Sequence, residues 1–375
     1  MSQAEKYGSL TLERNRLAAI PVGVVDPKSR IILLMGTTGS GKSKFIESLC
    51  PEQKHLVISG NTLTSVTQEV EAYTLWNASW SVSRTPVILV DTPGFSDPNL
   101  SESRIVFALQ EWLSKNETRY YHRILFFERI TDNRMSGNKR RLLKVFKTLV
   151  GPDAASCVTI VTSMWNQLWT SQQLDAAEQR YEQLENEHWK DLLQKGAQMV
   201  RYDCTKTSAA EIIGKGLSSH VTAYPPKKPD FFEHEAWTTD DDGVSPMYMH
   251  MLHQTLCERI EVLKGRLRSI QGELAVMERS EGEDEVGVVC GELTRKEMEE
   301  VKALLEAFED DRDTIVGVAP SLGRYANEEK LQGHGAMLAE ELKGVSMSTS
   351  VGHGTIVQGR GEKLGWLKRT MKRLK

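Results

Sequence analysis

Between Gly36 and Ser43 the chain reads GTTGSGKS, a glycine-rich run closed by a lysine and a hydroxyl residue. The apolar stretch IILLM stands directly before it and the helix-compatible KFIESLC follows Lys42 and Ser43, the setting a phosphate-binding loop requires. Gly36, Gly39 and Gly41 free the backbone to wrap round phosphates, whose charge meets loop N–H groups and the positive end of the next helix. Thr37, Thr38 and Ser40 complete that cradle. Lys42 is the residue to reach the β- and γ-phosphates, and Ser43 offers its hydroxyl to Mg²⁺.

Downstream, the apolar run VILV delivers Asp91 at a strand end, followed by Thr92, Pro93 and Gly94. A carboxylate there suits a Mg²⁺-bound water, and Gly94 lets a backbone N–H approach the γ-phosphate. Between the two motifs lies SGNTLTSVTQEVEAY, a polar segment of the kind that orders around a triphosphate and its metal. Thr67 is the candidate metal ligand there and, with Lys42, a catalytic candidate; Thr62 and Thr64 remain open for the same role.

These residues need a rigid frame. Short apolar runs alternate with helix-like segments from Arg30 onward, which predicts an α/β fold: a doubly wound, mostly parallel sheet covered by helices on both faces. Strands are expected at 30–35, 86–90, 123–130, 156–162 and 198–202, with 72–82 pairing as a hairpin to the strand at Val87. Helices are expected after Lys42, Ser101, Gly137, Ser171 and Ser208. The expected layout is an N-terminal extension (1–29), the nucleotide-binding domain (30–223), a proline- and acid-rich linker (224–246), a helical region (247–342) and a segment with a basic tail (343–375). In the helical region Leu256, Ile260, Leu263, Leu267, Ile270, Leu274 and Met277 form a short coiled-coil candidate. A second amphipathic segment surrounds Met298, Val301, Leu304, Leu305 and Phe308.

The order of P-loop, switch threonine, DTPGFSD, TSMWN ending an apolar strand, and TKTSA after another resembles the GTPases of the immunity-associated protein family. Phrases such as ERITDNRMSG and VTIVTSMWN resemble its fungal branch, with septins as more distant kin. The resemblance covers roughly residues 30–217. It implies a G domain that binds GTP or GDP with Mg²⁺ and pairs with a second copy of itself through the nucleotide face, as a homodimer. Two departures stand out. The place of the guanine-reading aspartate is held by Asn166, whose amide has one acceptor oxygen instead of two, so guanine preference is weakened or supplied otherwise. Phe95 follows Gly94, where Ras-like GTPases carry a water-orienting glutamine, so intrinsic turnover is expected to be slow unless an arginine in trans assists; Arg84, Arg104, Arg129 and Arg134 are available. Ser208, with Ala209, resembles the loop that supports the base.

A chain of 375 residues exceeds one such domain, and its formal charge of −4 gives no general attraction to nucleic acid. Five scattered cysteines argue against a disulfide framework and for a reducing compartment. The polar N-terminus does not read as a signal peptide, and no apolar run approaches the roughly 20 residues that span a bilayer; a cytoplasmic protein is expected. Leu364, Leu367, Met371 and Leu374 share one face of a basic tail within 360–375 that suits contact with an anionic membrane surface, or packing on its own protein. Taken together these features predict a guanine-nucleotide-controlled switch or scaffold. The alternatives are an adaptor that binds nucleotide without turnover and a P-loop kinase for a small acceptor.

Overall fold

The computed structural model describes residues 5–7, 10–21, 23–26, 28–53, 58–59, 69–80, 86–116, 121–151, 154–218, 247–277 and 285–318. Thr62, Thr64, Thr67 and Arg84, the linker at 224–246 and the basic tail lie outside the described residues. Met1–Leu322 form one compact unit; the other, Gly323–Lys375, lies wholly outside the described residues.

Eight strands form the sheet: β1 (Glu5–Tyr7), β2 (Leu10–Ala19), β3 (Arg30–Gly36), β4 (Glu71–Trp80), β5 (Val87–Asp91), β6 (Arg123–Arg129), β7 (Val158–Ser163) and β8 (Gln198–Arg201). Their order is β1-β2-β4-β5-β3-β6-β7-β8. β5, β3, β6, β7 and β8 run parallel, while β4 lies antiparallel to β5 with Tyr73 opposite Leu89, as the hairpin expectation required. The doubly wound, mostly parallel sheet is therefore present.

Residues 5–19 correct the expected boundary at residue 30. They are two further antiparallel strands at the sheet edge, β2 pairing with β4, rather than an extension outside the domain. Leu10, Leu12 and Leu17 are buried while the charged residues between them hide the pattern from a reading of hydropathy, and a register shift between Leu12 and Arg16 breaks the alternation.

The central strands carry near-continuous apolar runs because both faces are covered, with polar residues at their ends and Thr159 and Thr162 inside β7. Ile31, Leu33, Ile88, Val90, Ile124, Phe126, Val158 and Ile160 face one core, and Ile32, Leu34, Leu89, Leu125, Phe127 and Val161 face the other. Helices α1 (Lys42–Ser48), α2 (Glu102–Lys115), α3 (Gly137–Val150), α4 (Ser171–Gln183), α5 (Lys190–Leu193) and α6 (Lys206–Ser218) supply the covering layers. Their starts follow capping chemistry: Ser101 accepts from the Arg104 N–H, Ser136 from the Lys139 N–H, and Thr170 with Gln173 forms a full capping box.

Two long helices, α7 (Met247–Met277) and α8 (Glu285–Val318), pack on each other, and α7 also packs on α2 and α3. Leu256, Ile260, Leu263, Ile270 and Leu274 of the coiled-coil candidate are buried in the same core as the sheet, together with Val301 and Phe308 of α8. The seam is thus satisfied within the chain, and only Met277 at its end is exposed. Among the described residues no helix is long and apolar enough to cross a membrane.

Candidate nucleotide-binding site

β3 lies between β5 and β6, so its carboxyl end opens into the crevice where strand order reverses, the usual ligand position in such sheets. The loop begins at Gly36, whose φ of +141° and closeness to β6 both demand glycine: an added Cβ would lie 2.5 Å from the Phe127 carbonyl oxygen. The turn is completed by Gly39 and by Gly41, whose left-handed φ of +94° feeds α1.

Lys42 is buried at the start of α1, and its Nζ donates to the carbonyls of Gly36 (3.4 Å) and Thr37 (3.2 Å). Burial pulls its pKa down to about 8, while the charges of Asp91 and Asp97 oppose that fall. Beside it, Ser43 Oγ donates to Asp91 Oδ2 at 2.6 Å. Asp91 is fully buried, and the Thr92 hydroxyl, donating to the Leu34 carbonyl at 2.7 Å, fastens the end of β5 to β3.

A nucleoside triphosphate with Mg²⁺ fits these residues. The hydroxyl of Ser43 and the carboxylate of Asp91 are a hard oxygen pair of the kind Mg²⁺ takes, and Lys42 holds a buried positive charge beside the glycine cradle. Among the described residues no group of three or more His, Cys, Asp or Glu could hold a metal alone, so a bound Mg²⁺ would need further oxygen ligands beyond Ser43 and Asp91. When bound, the metal supplies neutralisation of charge on the β- and γ-phosphate oxygens.

The DTPG segment lies directly on this loop. The Phe95 N–H donates to the Gly36 carbonyl (2.9 Å) and the Thr38 N–H to the Phe95 carbonyl (3.0 Å), making an isolated parallel bridge between Thr37 and Phe95. Gly94 is so close that an added Cβ would lie 2.3 Å from Thr38 Oγ1 and 2.4 Å from Thr38 Cα. The Phe95 side chain is fully buried, so no group there reaches a water in the site. Thr38 Oγ1 also reaches Asp97 Oδ2 at 3.3 Å.

Sequence reading missed the support behind this segment. Arg259 of α7 donates to the carbonyls of Asp97 (2.6 Å) and Leu100 (2.7 Å) and to Glu102 Oε2 (3.0 Å), with its guanidinium 4.5 Å from the Phe308 ring centre. Asp311 of α8 accepts from Ser101 Oγ at 2.7 Å and pairs with Arg104 at 3.5 Å. No local pattern announces contacts between residues so far apart in the chain.

At the other end, Ser163 at the close of β7 donates to the Ser40 carbonyl at 2.7 Å, fastening the TSMWN turn to the phosphate loop. Met164 follows in left-handed backbone, and Trp165 is stacked by the Arg201 guanidinium at 4.4 Å. Asn166 is exposed, and its Oδ1 accepts from the Cys204 thiol at 3.4 Å. Ser208 lies in the first turn of α6, where its hydroxyl accepts from the Asp203 N–H at 3.3 Å, and Ala209 is fully buried. The residue brought to Asn166 is thus Cys204, four positions before Ser208. The signal for it is its place just past the end of β8.

An open cleft of about 410 Å³ continues from Thr37, Thr38 and Ser96 to Arg129, Asn133 and Arg134. Arg129 is paired with Asp132 at 3.0 Å and Arg104 with Asp311; Arg134 is exposed at the cleft wall.

Residues 31–159 match the family of 50S ribosome-binding GTPases. The fold is that of a P-loop GTPase domain. Over 158 residues the chain is 27% identical to GTP-binding protein A of Dictyostelium discoideum, a stretch covering 42% of this chain and 32% of that protein. The chain thus spans about a third of the length of that curated relative. Similar solved structures include Toc33 from Arabidopsis thaliana in complex with GDP and Mg²⁺ (15% identity, 51% of this chain and 83% of that one, TM-score 0.34). Toc33 in complex with Mg²⁺ and GMPPNP is another (12% identity, 51% and 83%, TM-score 0.36).

Proposed function

We propose that this chain binds GTP or GDP with Mg²⁺ at Gly36–Ser43 and acts as a nucleotide-controlled switch or scaffold of the immunity-associated GTPase type, with slow hydrolysis. The observation that carries the reading is the buried Lys42 over the glycine cradle beside the Ser43–Asp91 pair. Backbone N–H groups and Lys42 hold the phosphates; Ser43 and Asp91 hold the metal; Asn166 meets the base. The test is binding of labelled GTP with Mg²⁺, competed by unlabelled GTP and ATP. A preference for GTP that Lys42→Ala abolishes supports the reading, whereas equal or better competition by ATP sinks it.

Slow turnover follows from Phe95, which is buried where a water-orienting side chain would be needed. Pairing of two copies across the nucleotide face would bring an arginine to the γ-phosphate, and Arg134 lines the cleft next to Thr37 and Thr38. GTP turnover per chain should then rise with protein concentration and lose that rise in Arg134→Ala. The same buried Phe95 favours the second reading, an adaptor without turnover, for which no phosphate is released at any concentration.

A further inference from the structure

The base end of the site presents an unusual edge. Ser163 donates to the Ser40 carbonyl at 2.7 Å, and a Cβ on Gly41 would lie 4.0 Å from Ser163 Cβ, so the turn carrying Asn166 is fastened to the phosphate loop itself. β7 and β8 are parallel neighbours, and the turns after them open on the same edge of the sheet as the P-loop. From the turn after β8, Cys204 Sγ comes to 3.4 Å from Asn166 Oδ1. A base attached to phosphates at Gly36–Ser43 therefore meets Asn166 with Cys204 behind it.

Burial, and after it the charge of Asp203, push the Cys204 thiol up, so the sulfur keeps its proton near neutral pH and donates to the amide oxygen. The oxygen of Asn166 accepts from Cys204 with one lone pair and keeps the second for a donor on the ligand, with the NH₂ group beside it. Guanine presents two donors on its N1–C2 edge, N1–H and the 2-amino group. A carboxylate accepts both. A carboxamide has one donor arm and one acceptor arm, so in either orientation one guanine N–H is opposed by an amide N–H. Hypoxanthine, which is guanine without the 2-amino group, removes the opposition; xanthine, with oxygen at C2, converts it into a hydrogen bond.

We propose that this base site takes hypoxanthine and xanthine nucleotides at least as well as guanine nucleotides, with Asn166, held by Cys204, as the residue that sets the order. The proposal rests on the reading of Gly36–Ser43 as a nucleotide site and specifies the base that site takes.

The test is calorimetric titration of the full chain, in Mg²⁺, with GTP, ITP and XTP separately. ITP should bind as tightly as GTP or better, and XTP about tenfold more tightly, the scale of an opposed donor pair. Asn166→Asp, a change at an exposed position, should reverse the order and place GTP at least about tenfold ahead of both. Cys204→Ala should narrow the XTP advantage, and Cys204→Ser, which retains a donor, should keep it. GTP ahead of ITP and XTP in the unaltered chain overturns the proposal alone, as does Asn166→Asp leaving the order unchanged. Failure of all three to bind, or binding unaffected by Lys42→Ala, overturns the phosphate-site reading and the proposal with it.

Discussion

Arg259 of α7 donates from Nη2 to the carbonyl oxygen of Asp97 at 2.6 Å, and the carboxylate of the same Asp97 lies 3.3 Å from Thr38 Oγ1 of the phosphate loop. One aspartate thus joins the glycine-rich loop to a helix more than 150 residues away along the chain. Replacing the guanidinium leaves the carbonyls of Asp97 and Leu100 and the buried Glu102 carboxylate with fewer partners. Arg259→Met should lower unfolding stability by about 2–3 kcal/mol. Urea denaturation measures it, and amide exchange at residues 97–104 should quicken. Arg259→Lys should recover little of the loss, because an ammonium cannot reproduce a fork that reaches the carbonyls of Asp97, Pro98 and Leu100 and the Glu102 carboxylate.

Lys42, with its pKa drawn down to about 8 by burial, makes nucleotide binding depend on pH. Phosphate charge favours the protonated lysine, so above pH 8 binding must take up a proton. Affinity for a triphosphate should fall by about tenfold per pH unit in that range. Calorimetry in two buffers of different ionisation heat reports the proton uptake, and Lys42→Ala should abolish it. Stability of the free chain should follow the opposite trend. Its lysine sheds the proton near 8, but the unfolded one keeps it to about 10.5, so stability rises with pH between those values.

His122 is a second titrating residue, remote from the phosphates. Its Nδ1 accepts from the Ile31 N–H at 3.1 Å, and burial, then the charges of Arg30 and Arg123, bring its pKa down to about 4 from an ordinary 6.5. A depressed folded value means stability present above pH 6.5 and lost as the pH falls toward 4, by up to about 3 kcal/mol. Urea midpoints measured at pH 7 and pH 4.5 should show the loss. His122→Asn, which retains an acceptor but does not titrate, should flatten the difference.

Gly94→Ala cannot be accommodated where it stands, since its Cβ would lie within 2.4 Å of the Thr38 backbone nitrogen. The variant should lose about 1–3 kcal/mol, the scale of an overpacked contact, and weaken the Thr37–Phe95 bridge. Gly137→Ala is the contrast: an added Cβ there meets nothing within 4 Å, at the first position of α3. It should be neutral or gain up to about 1 kcal/mol from helix propensity. Thermal unfolding of both variants separates contact from composition.

Much of this protein is legible along the chain. GTTGSGKS between an apolar strand and a helix, and DTPG at the next parallel strand's end, determine the phosphate site, because such loops are built by neighbouring backbone groups whose conformations glycine and sequence order dictate. Apolar runs likewise determine the central strands, since strands covered on both faces are apolar along most of their length. Tertiary structure alone decides the rest. The strands β1 and β2 join the sheet because Leu10, Leu12 and Leu17 find a core that charged neighbours conceal. Arg259 and Asp311 reach the DTPG flank, and Cys204 reaches Asn166, through packing of elements distant in sequence. Local conformational preference is a property of adjacent residues, whereas these contacts exist only after burial of apolar faces has brought the helices and strands together.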